Sequence, residues 1–305
     1  MNNYSEKKNT VLKKTTVLVL LIVLVAAFAF AANNFVPTLA YNTVSVGFVN
    51  EPNSYCLIPA ISTPGSNYQA AVAESYDDIV NALEDGVLDT ALLPVKYLDA
   101  IADGYSVVAM TSCLNLTAVE SGYSVYSLTD LGGRTVVVPD TLADTLELRM
   151  LSEMLAFTQT AADILFESDA DIQRMADDTD FDILMLPPEK CAKVLLKNQN
   201  CRSSFSLSGQ WSVIFNAPPP AGYCIVARDD CIKDKAPSIS KFLTAIEASV
   251  RFVTTKRKKA SAYIGANGVD ADFEFIWKVI PCCKFDFQQG DGMTGHLEQL
   301  MILIQ

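Results

Sequence analysis

The chain has 305 residues, of which half are hydrophobic and 19% are charged. Those proportions exclude an intrinsically disordered chain, and the length suits two domains or lobes. The formal net charge is −12 and residues 256–259 form the one basic cluster, so we expect no nucleic-acid partner. The single histidine, His296, argues against mechanisms that need several imidazoles, whether for proton transfer or for zinc binding.

The N-terminal residues have the pattern of an export signal. Four lysines between positions 7 and 14 precede an uncharged, mostly aliphatic run over residues 17–32, in which residues 29–31 fit a small-residue cleavage site. This order is typical of a secretory signal peptide. The run is close to the length of a spanning helix, so residues 1–32 are predicted to be a signal peptide or a membrane anchor. Because the lysines precede the run, the rest of the chain is predicted to be extracytoplasmic, at the cell surface or in the periplasm.

Beyond this leader the sequence alternates short apolar strands with helices. Strands are predicted at Val44–Val49, Tyr68–Ala73, Asp89–Pro94 and Ser106–Thr111, and a helix is predicted at Tyr97–Ala102. Strands that alternate with helices indicate βαβ units and a mainly parallel sheet.

Three capping boxes mark the starts of helices. In this motif a hydroxyl and a carboxylate three residues apart satisfy the free N–H groups of the first turn. The boxes lie at Ser75–Asp78, Thr141–Asp144 and Ser168–Asp171. We therefore predict that a helix begins at each of these positions.

The chain contains an internal echo. Residues 83–94 and 176–187 share a helix end, an acidic turn and a strand of the form D-x-x-x-L-P, with Asp89 and Asp182 at equivalent positions. This suits two similar α/β lobes, or alternatively two ordinary helix–strand–helix segments. Since ligands of open α/β sheets bind beyond the carboxyl ends of strands, Pro94 and residues 187–189 are predicted to lie at such ends.

Eight cysteines occur, and an even number in an exported chain permits disulfide bonds. The pairing stays open, with Cys191–Cys201 and Cys224–Cys231 as the local candidates. The alternative is that several of these cysteines are small buried apolar residues. No C-x-x-C motif is present, and the spacings predict no metal site.

Four stretches in a fixed order give the chain a family resemblance. Residues 77–94 resemble a first-lobe helix and strand, 127–139 the entry into a second lobe, 181–189 a second-lobe strand, and 222–243 the return crossing with its helix. Their order is similar to that of the solute-binding proteins of ABC transporters, periplasmic type II class. The nearest branch is the nitrate, sulfonate, taurine and thiamine-precursor group, and the resemblance spans most of residues 42–305.

The resemblance implies a two-lobed α/β fold with mixed, mainly parallel sheets and a cleft between the lobes. Lobe I would comprise residues 42–122 and 222–305, and lobe II residues 123–221, with crossings near 118–127 and 215–224. The implied function is to capture a small molecule between the lobes and deliver it to an ABC permease in the membrane. We expect a monomer that is not an enzyme and has no catalytic residue, cofactor or metal.

The implied ligand contacts lie in the loops that would face the cleft. They are Asn50, Glu51, Ser54, Tyr55, Pro94, Thr111, Ser112, Asp140, Thr141, Pro188 and Glu189. For Thr141 helix capping is the alternative role, and Tyr223 and Trp211 are as well suited to packing as to stacking.

The charges of these loops bear on the ligand. Three of the residues are acidic, whereas Lys96 and Lys190 are the nearby bases, and Asp140 stands where many relatives have small residues. A buried carboxylate needs a partner that brings hydrogen-bond donors or positive charge. We therefore predict a neutral or cationic ligand, such as a small amine or an aminopyrimidine-like heterocycle.

Two other functions remain open at this point. The first is an enzyme on the same fold that acts on a pyrimidine-like or related metabolite, because fold does not fix function. Against it stand the export leader and the position of His296, which is predicted to have a surface or capping role in a C-terminal helix. The second is a membrane-tethered sensory ectodomain that keeps residues 17–32 as its anchor.

Overall fold

The computed structural model describes residues 43–101, 103–122, 125–267 and 271–305. The signal peptide or anchor predicted over residues 1–32 lies outside the described residues. Among the described residues, no helix combines the length and the apolar character needed to cross a membrane.

Strands and helices alternate along most of the described chain, as predicted. The strands are β1 Val44–Val49, β2 Tyr68–Ala73, β3 Thr90–Pro94, β4 Tyr105–Cys113, β5 Thr117–Glu120, β6 Thr135–Pro139, β7 Asp163–Glu167, β8 Ile183–Leu186, β9 Arg202–Ser206, β10 Ala221–Arg228 and β11 Phe285–Gln288. The helices are α1 Ile58–Ile61, α2 Tyr76–Glu84, α3 Leu146–Phe157, α4 Asp169–Asp178, α5 Pro188–Lys197, α6 Leu207–Phe215, α7 Asp229–Asp234, α8 Ala236–Thr255, α9 Arg257–Ala266, α10 Phe273–Val279 and α11 Asp291–Ile304.

The chain divides into two compact units. Among the described residues, unit 1 comprises 43–112, 221–255 and 285–305, and unit 2 comprises those in 113–220 and 256–284. The sequence-based division differs at two segments, because it assigned residues 113–122 and 256–284 to lobe I. Both segments belong to unit 2, where α10 packs against α5 and against α9.

Unit 1 contains a six-stranded sheet in the order β11-β4-β10-β3-β1-β2. Strand β1 pairs in parallel with both β2 and β3, and β10 pairs antiparallel with β3, placing Tyr223 opposite Pro94. The carboxyl ends of β1, β2 and β3 and the amino end of β10 therefore meet at one edge of this sheet.

Unit 2 contains a five-stranded sheet in the order β7-β6-β8-β5-β9. Strand β6 pairs in parallel with β7 and β8, whereas β5 pairs antiparallel with β8 and β9. The carboxyl ends of β6, β7 and β8 share an edge. Both sheets are thus mixed with a parallel core, which confirms the predicted fold class.

The internal echo of the sequence has a structural basis at the amino ends of the parallel strands in each sheet. Asp89 precedes β3, and its carboxylate accepts the backbone N–H of Ser45 in the neighbouring strand β1 at 2.9 Å. Asp182 precedes β8, and its carboxylate accepts the backbone N–H of Thr135 at the start of β6 at 3.0 Å. In each unit, therefore, the aspartate of the D-x-x-x-L-P pattern fastens the amino end of the adjacent parallel strand.

Two of the three predicted helix caps are confirmed. The hydroxyls of Ser75 and Ser168 accept the backbone N–H groups of Asp78 and Asp171, both at 3.2 Å, at the starts of α2 and α4. The prediction at Thr141 is wrong, because α3 begins at Leu146 and is capped by Thr145.

The physical reason for the late start of α3 lies in the residues before it. Residues 140–142 form a short 3-10 turn, and Asp144 then adopts a left-handed backbone conformation with φ of 62°. A left-handed residue cannot continue a right-handed helix, so the α-helical turn starts after it. The helix predicted at Tyr97–Ala102 is likewise reduced to a 3-10 turn over Val95–Tyr97.

All eight cysteines are buried, and the four candidates for the local disulfides, Cys191, Cys201, Cys224 and Cys231, are free thiols. The two local disulfides are therefore not formed, and the alternative reading as small buried residues agrees with the structure. Their thiols contact other groups: Cys201 bonds to the Ala176 carbonyl at 3.8 Å, and Cys231 bonds to the Asp89 carboxylate at 2.9 Å.

Candidate functional site

Four polar elements meet at the carboxyl edge of the unit 1 sheet. Glu51 and Asn53 follow β1, Tyr76 follows β2, Tyr97 follows β3, and Tyr223 lies at the amino end of β10. We call these five residues the Glu51 cluster. All five are half-buried, so part of each side chain still faces solvent. This is the edge at which ligands of open α/β sheets bind.

The turn after β1 holds Glu51 in place. The Ser54 hydroxyl donates to the Glu51 carbonyl at 2.8 Å and accepts the Glu51 backbone N–H at 3.3 Å. Pro52 occupies the first position of this 3-10 turn, where its missing N–H has no cost. Ser54 is buried and its hydroxyl is used within the turn, so it shapes the loop that carries Glu51.

Two tyrosine side chains lie beside the Glu51 carboxylate. Tyr76 and Tyr223 interact electrostatically with Glu51 and with one another. Burial, followed by the charge of Glu51, raises the pKa of Tyr223 far above its usual value. The pKa of Tyr76 is raised in the same way, by burial first and then by Tyr223 and Glu51. Both phenols therefore stay protonated and act as donors at any physiological pH.

The Glu51 carboxylate keeps some accepting capacity. Its two oxygens offer about four lone-pair positions. The Asn53 amide lies 3.5 Å from Oε1, and Tyr76 and Tyr223 lie beside the carboxylate. The carboxylate can therefore accept a further donor from solvent or from a ligand.

Aromatic rings form the wall beside this carboxylate. The ring centroids of Tyr76 and Tyr97 are 5.2 Å apart, and those of Tyr76 and Tyr223 are 6.5 Å apart. Aromatic faces carry partial negative charge and attract cations, and they also accept flat heterocycles. A carboxylate bordered by Tyr76 and Tyr223, with Tyr97 packed against Tyr76, is suited to a cationic or donor-rich group.

The tyrosine hydroxyls should contribute to stability as well as to the site. Tyr223→Phe is expected to lower the free energy of unfolding by roughly 1–2 kcal/mol, because the interaction of the hydroxyl with the Glu51 carboxylate is lost. Urea denaturation at pH 7 measures this. Tyr126→Phe is the control, since Tyr126 is 72% exposed and its loss should cost under about 0.5 kcal/mol.

The loss of stability at alkaline pH supplies a second measurement of the contact between Tyr223 and Glu51. Unfolded tyrosines ionise near pH 10, before the folded Tyr76 and Tyr223, so the stability of the native protein should fall as pH rises above about 10. Tyr223→Phe should make this fall shallower. Equal stability of Tyr223→Phe and Tyr126→Phe, with identical alkaline limbs, would contradict the described contact.

Unit 2 holds a second polar cluster at the corresponding edge of its own sheet. Lys190, on the first turn after β8, donates to the Thr141 hydroxyl after β6 at 3.1 Å. The same ammonium forms an ion pair with Asp169, which follows β7. Because Asp169 pairs with Lys190, this cluster, which we call the Lys190 cluster, offers no free positive charge to an anion.

The structure places the predicted site residues in different environments. Glu51 belongs to the Glu51 cluster and Thr141 to the Lys190 cluster, while Asn50 and Asp140 are exposed beside them. Pro188 opens α5, and Glu189 pairs with Lys193 at 2.5 Å along the same helix.

The remaining predicted contacts are buried in unit 1. They are Ser54, Tyr55, Pro94, Thr111 and Ser112. The Thr111 hydroxyl lies 3.5 Å from the Tyr223 carbonyl, so it contacts the backbone of a residue of the Glu51 cluster. None of the predicted contacts has been tested, and all stay predictions.

Sequence reasoning missed Tyr76 and Tyr97 and left the role of Tyr223 open. A signal existed, because Tyr76 directly follows the Ser75 cap and Tyr97 follows the Leu-Pro end of β3. His296 lies in the C-terminal helix α11 as predicted, but its predicted surface or capping role is wrong, because it lies within the helix and is 6% exposed, with Nε2 3.7 Å from the Asp286 carboxylate. It does not belong to the Glu51 cluster.

No protein-family model matches the chain, and no curated protein matches its sequence. Solved structures do share its fold. An ABC transporter protein from Parabacteroides distasonis has a TM-score of 0.67 at 16% identity, over 86% of this chain and 92% of that one. The periplasmic aliphatic sulphonate binding protein SsuA from Escherichia coli has a TM-score of 0.60 at 12% identity, over 87% of each chain.

An enzyme is also among the similar structures. The desulfurization enzyme DSZB has a TM-score of 0.50 at 11% identity, over 86% of this chain and 92% of that one.

The chain therefore has the periplasmic-binding-protein-like type II α/β fold, and the fold that the sequence resemblance implied is confirmed. At identities this low, the structural similarity establishes the fold alone, and function has to be argued from the site.

Proposed function

We propose that this protein is an extracytoplasmic solute-binding protein that takes up a small molecule at the Glu51 cluster and delivers it to an ABC importer. The observation that carries the proposal is a half-buried carboxylate held by two protonated tyrosines at the ligand-binding edge of the unit 1 sheet. The fold shared with ABC transporter proteins supports the transport role. The placement of the ligand between two lobes stays a prediction.

The ligand class follows from the donors and acceptors of the cluster. SsuA is named for sulphonate, and anions are usually held by Arg, Lys or free helix N-termini. The Glu51 cluster instead presents a carboxylate and three aromatic rings. An anion would be repelled by Glu51, whereas an ammonium or an amino-substituted heterocycle would donate to it and stack on a tyrosine. We therefore infer a neutral or cationic ligand.

Native mass spectrometry of the purified full-length protein tests the proposal first, by detecting a co-purifying small molecule. Calorimetric titration then compares aliphatic amines and aminopyrimidines with taurine and nitrate. The proposal expects Kd values of about 1–10 μM for a member of the first group, equivalent to roughly −7 to −8 kcal/mol, and no binding of the second. Micromolar binding of taurine or nitrate without binding of any amine would overturn the ligand class.

The same titrations address the enzyme alternative, which the similarity to DSZB keeps in view. A binding protein returns its ligand unchanged after prolonged incubation. Mass spectrometric detection of a converted product, at more than one equivalent per protein, would instead establish turnover and reject the transport role.

A further inference from the structure

Two cysteines from distant parts of the sequence meet in the core of unit 2. Cys191 lies on α5, and Cys282 lies in the 3-10 turn Ile280–Cys282 that follows α10. Their sulfur atoms are 3.4 Å apart, and the two residues are 0% and 4% exposed. A disulfide bond has a sulfur–sulfur length of about 2.05 Å, so the two atoms need to approach by little more than 1 Å to bond.

The surroundings of the pair differentiate its two thiols. The pKa of Cys282 is lowered, chiefly by its hydrogen bond with Cys191. The Thr117 hydroxyl and the charges of Lys284 and Arg257 lower it further, whereas burial opposes the shift. The pKa of Cys191 is raised well above its usual value by the hydrogen bond with Cys282 and by burial. In the folded core, Cys282 therefore loses its proton more readily than Cys191.

The other thiols near this core have different partners. Cys283, adjacent to Cys282 in sequence, bonds to the Val279 carbonyl at 3.4 Å. Cys201 bonds to the carbonyl of Ala176. The geometry therefore selects Cys282 over its neighbour and Cys191 over Cys201.

We propose that Cys191 and Cys282 form a disulfide bond when the chain folds in an oxidising compartment. The oxidant is a small-molecule or protein disulfide. The thiolate of one of the two cysteines attacks it, forming a mixed disulfide and releasing one thiolate. The other cysteine then loses its proton and attacks the first cysteine's sulfur, which releases the second thiolate. Two protein thiols become one disulfide and the oxidant becomes two thiols, so electrons balance. Because both sulfurs are buried in the native state, exchange takes place before the core of unit 2 closes.

The bond would join the two chain segments that make up unit 2. It would link residues 113–220 to 256–284 across a separation of 91 residues. Cys191 directly follows Lys190, so the bond would also fix the first turn of α5, which carries the Lys190 cluster. The inference is independent of the proposed function, because it rests on the core of one unit.

The full-length protein is tested after unfolding, reduction and refolding with a mixture of oxidised and reduced glutathione. Thiols are then alkylated under denaturing conditions without reductant. We expect two fewer alkylated thiols than the eight cysteines present, and a tryptic peptide of residues 191–193 linked to residues 279–284. Trypsin cleaves after Lys190 and Lys193, so Cys191 and Cys201 fall in different peptides.

Variants distinguish the adjacent cysteines of the second peptide. Cys282→Ala should abolish the link, and the matched control Cys283→Ala should keep it. The oxidised wild-type protein should melt roughly 5–15 °C above the reduced protein, as expected for a cross-link that closes a long loop. If Cys282→Ala does not fold, the wild-type alkylation count and linked peptide still decide. Alkylation of all eight thiols after oxidative refolding, or a link through Cys283, would overturn the proposal.

Discussion

Glu51→Gln is expected to weaken binding of a cationic amine roughly 10- to 100-fold while leaving the fold intact. The substitution keeps the shape of the side chain and one acceptor oxygen, so Tyr76 and Tyr223 retain a partner. It removes the negative charge that a ligand ammonium would meet in a half-buried setting. A charge-assisted hydrogen bond contributes about 1.5–3 kcal/mol, and each 1.4 kcal/mol corresponds to a factor of ten in Kd. Titration calorimetry at pH 7 measures the change.

The matched control is Glu298→Gln, which removes the same charge from an exposed position on α11 of the same unit. Its affinity for the amine should equal that of the wild-type protein, and both variants should unfold cooperatively. Equal loss of affinity in the two variants would indicate a general charge effect. Unchanged affinity in Glu51→Gln would show that the ligand binds elsewhere and would reject the Glu51 cluster as the site.

Asp89→Asn is expected to destabilise the protein by about 2–3 kcal/mol at pH 7. Asp89 is 7% exposed and receives hydrogen bonds from the Ser45 backbone, the Cys231 thiol and the Lys235 ammonium, the last at 2.8 Å. Removing the charge takes away the carboxylate with which Lys235 pairs, leaving the Thr43 carbonyl as a neutral acceptor at 3.2 Å. It also turns one acceptor of residue 89 into a donor that faces other donors. Disrupting a buried ion pair and its hydrogen bonds is among the single substitutions that lower the free energy of unfolding most.

The dependence on pH gives this prediction a sign that can be checked. Burial opposes ionisation of Asp89, but the bonds from Cys231, Lys235 and Ser45 outweigh it, and the pKa lies below its usual value. The contribution of Asp89 is therefore present above about pH 4 and lost as pH falls through the native pKa. The difference between wild type and Asp89→Asn should shrink below pH 4. Urea denaturation from pH 2 to 7 measures it.

Two further aspartates calibrate the effect. Asp182→Asn, which removes the equivalent contact with the Thr135 backbone, should cost only about 1 kcal/mol because no lysine is paired there. Asp103→Asn, at an exposed position, should be neutral within about 0.5 kcal/mol. If Asp89→Asn proved no more harmful than Asp103→Asn, the buried contact with Lys235 would be refuted as a source of stability.

Local sequence signals predicted much of the fold and one end of the site. The Ser75 and Ser168 caps were predictable because a capping hydroxyl acts on residues two or three positions away. The alternation of strands and helices fixed the α/β class, and the rule that ligands bind at carboxyl ends of strands selected Glu51. The failure at Thr141 has the same local scale, since a single left-handed residue at Asp144 moved the helix start to Leu146.

By itself, then, the sequence determined the class of fold and the loop that carries Glu51. Tertiary structure decided which side chains surround that carboxylate, which unit residues 256–284 belong to, and that the thiols of Cys191 and Cys282 lie in contact. Tyr223 reaches Glu51 because β10 inserts antiparallel beside β3, and Cys282 reaches Cys191 because α10 packs on α5. Such neighbours depend on strand order and helix packing, which burial of the whole apolar surface selects, and no local pattern of residues encodes that choice.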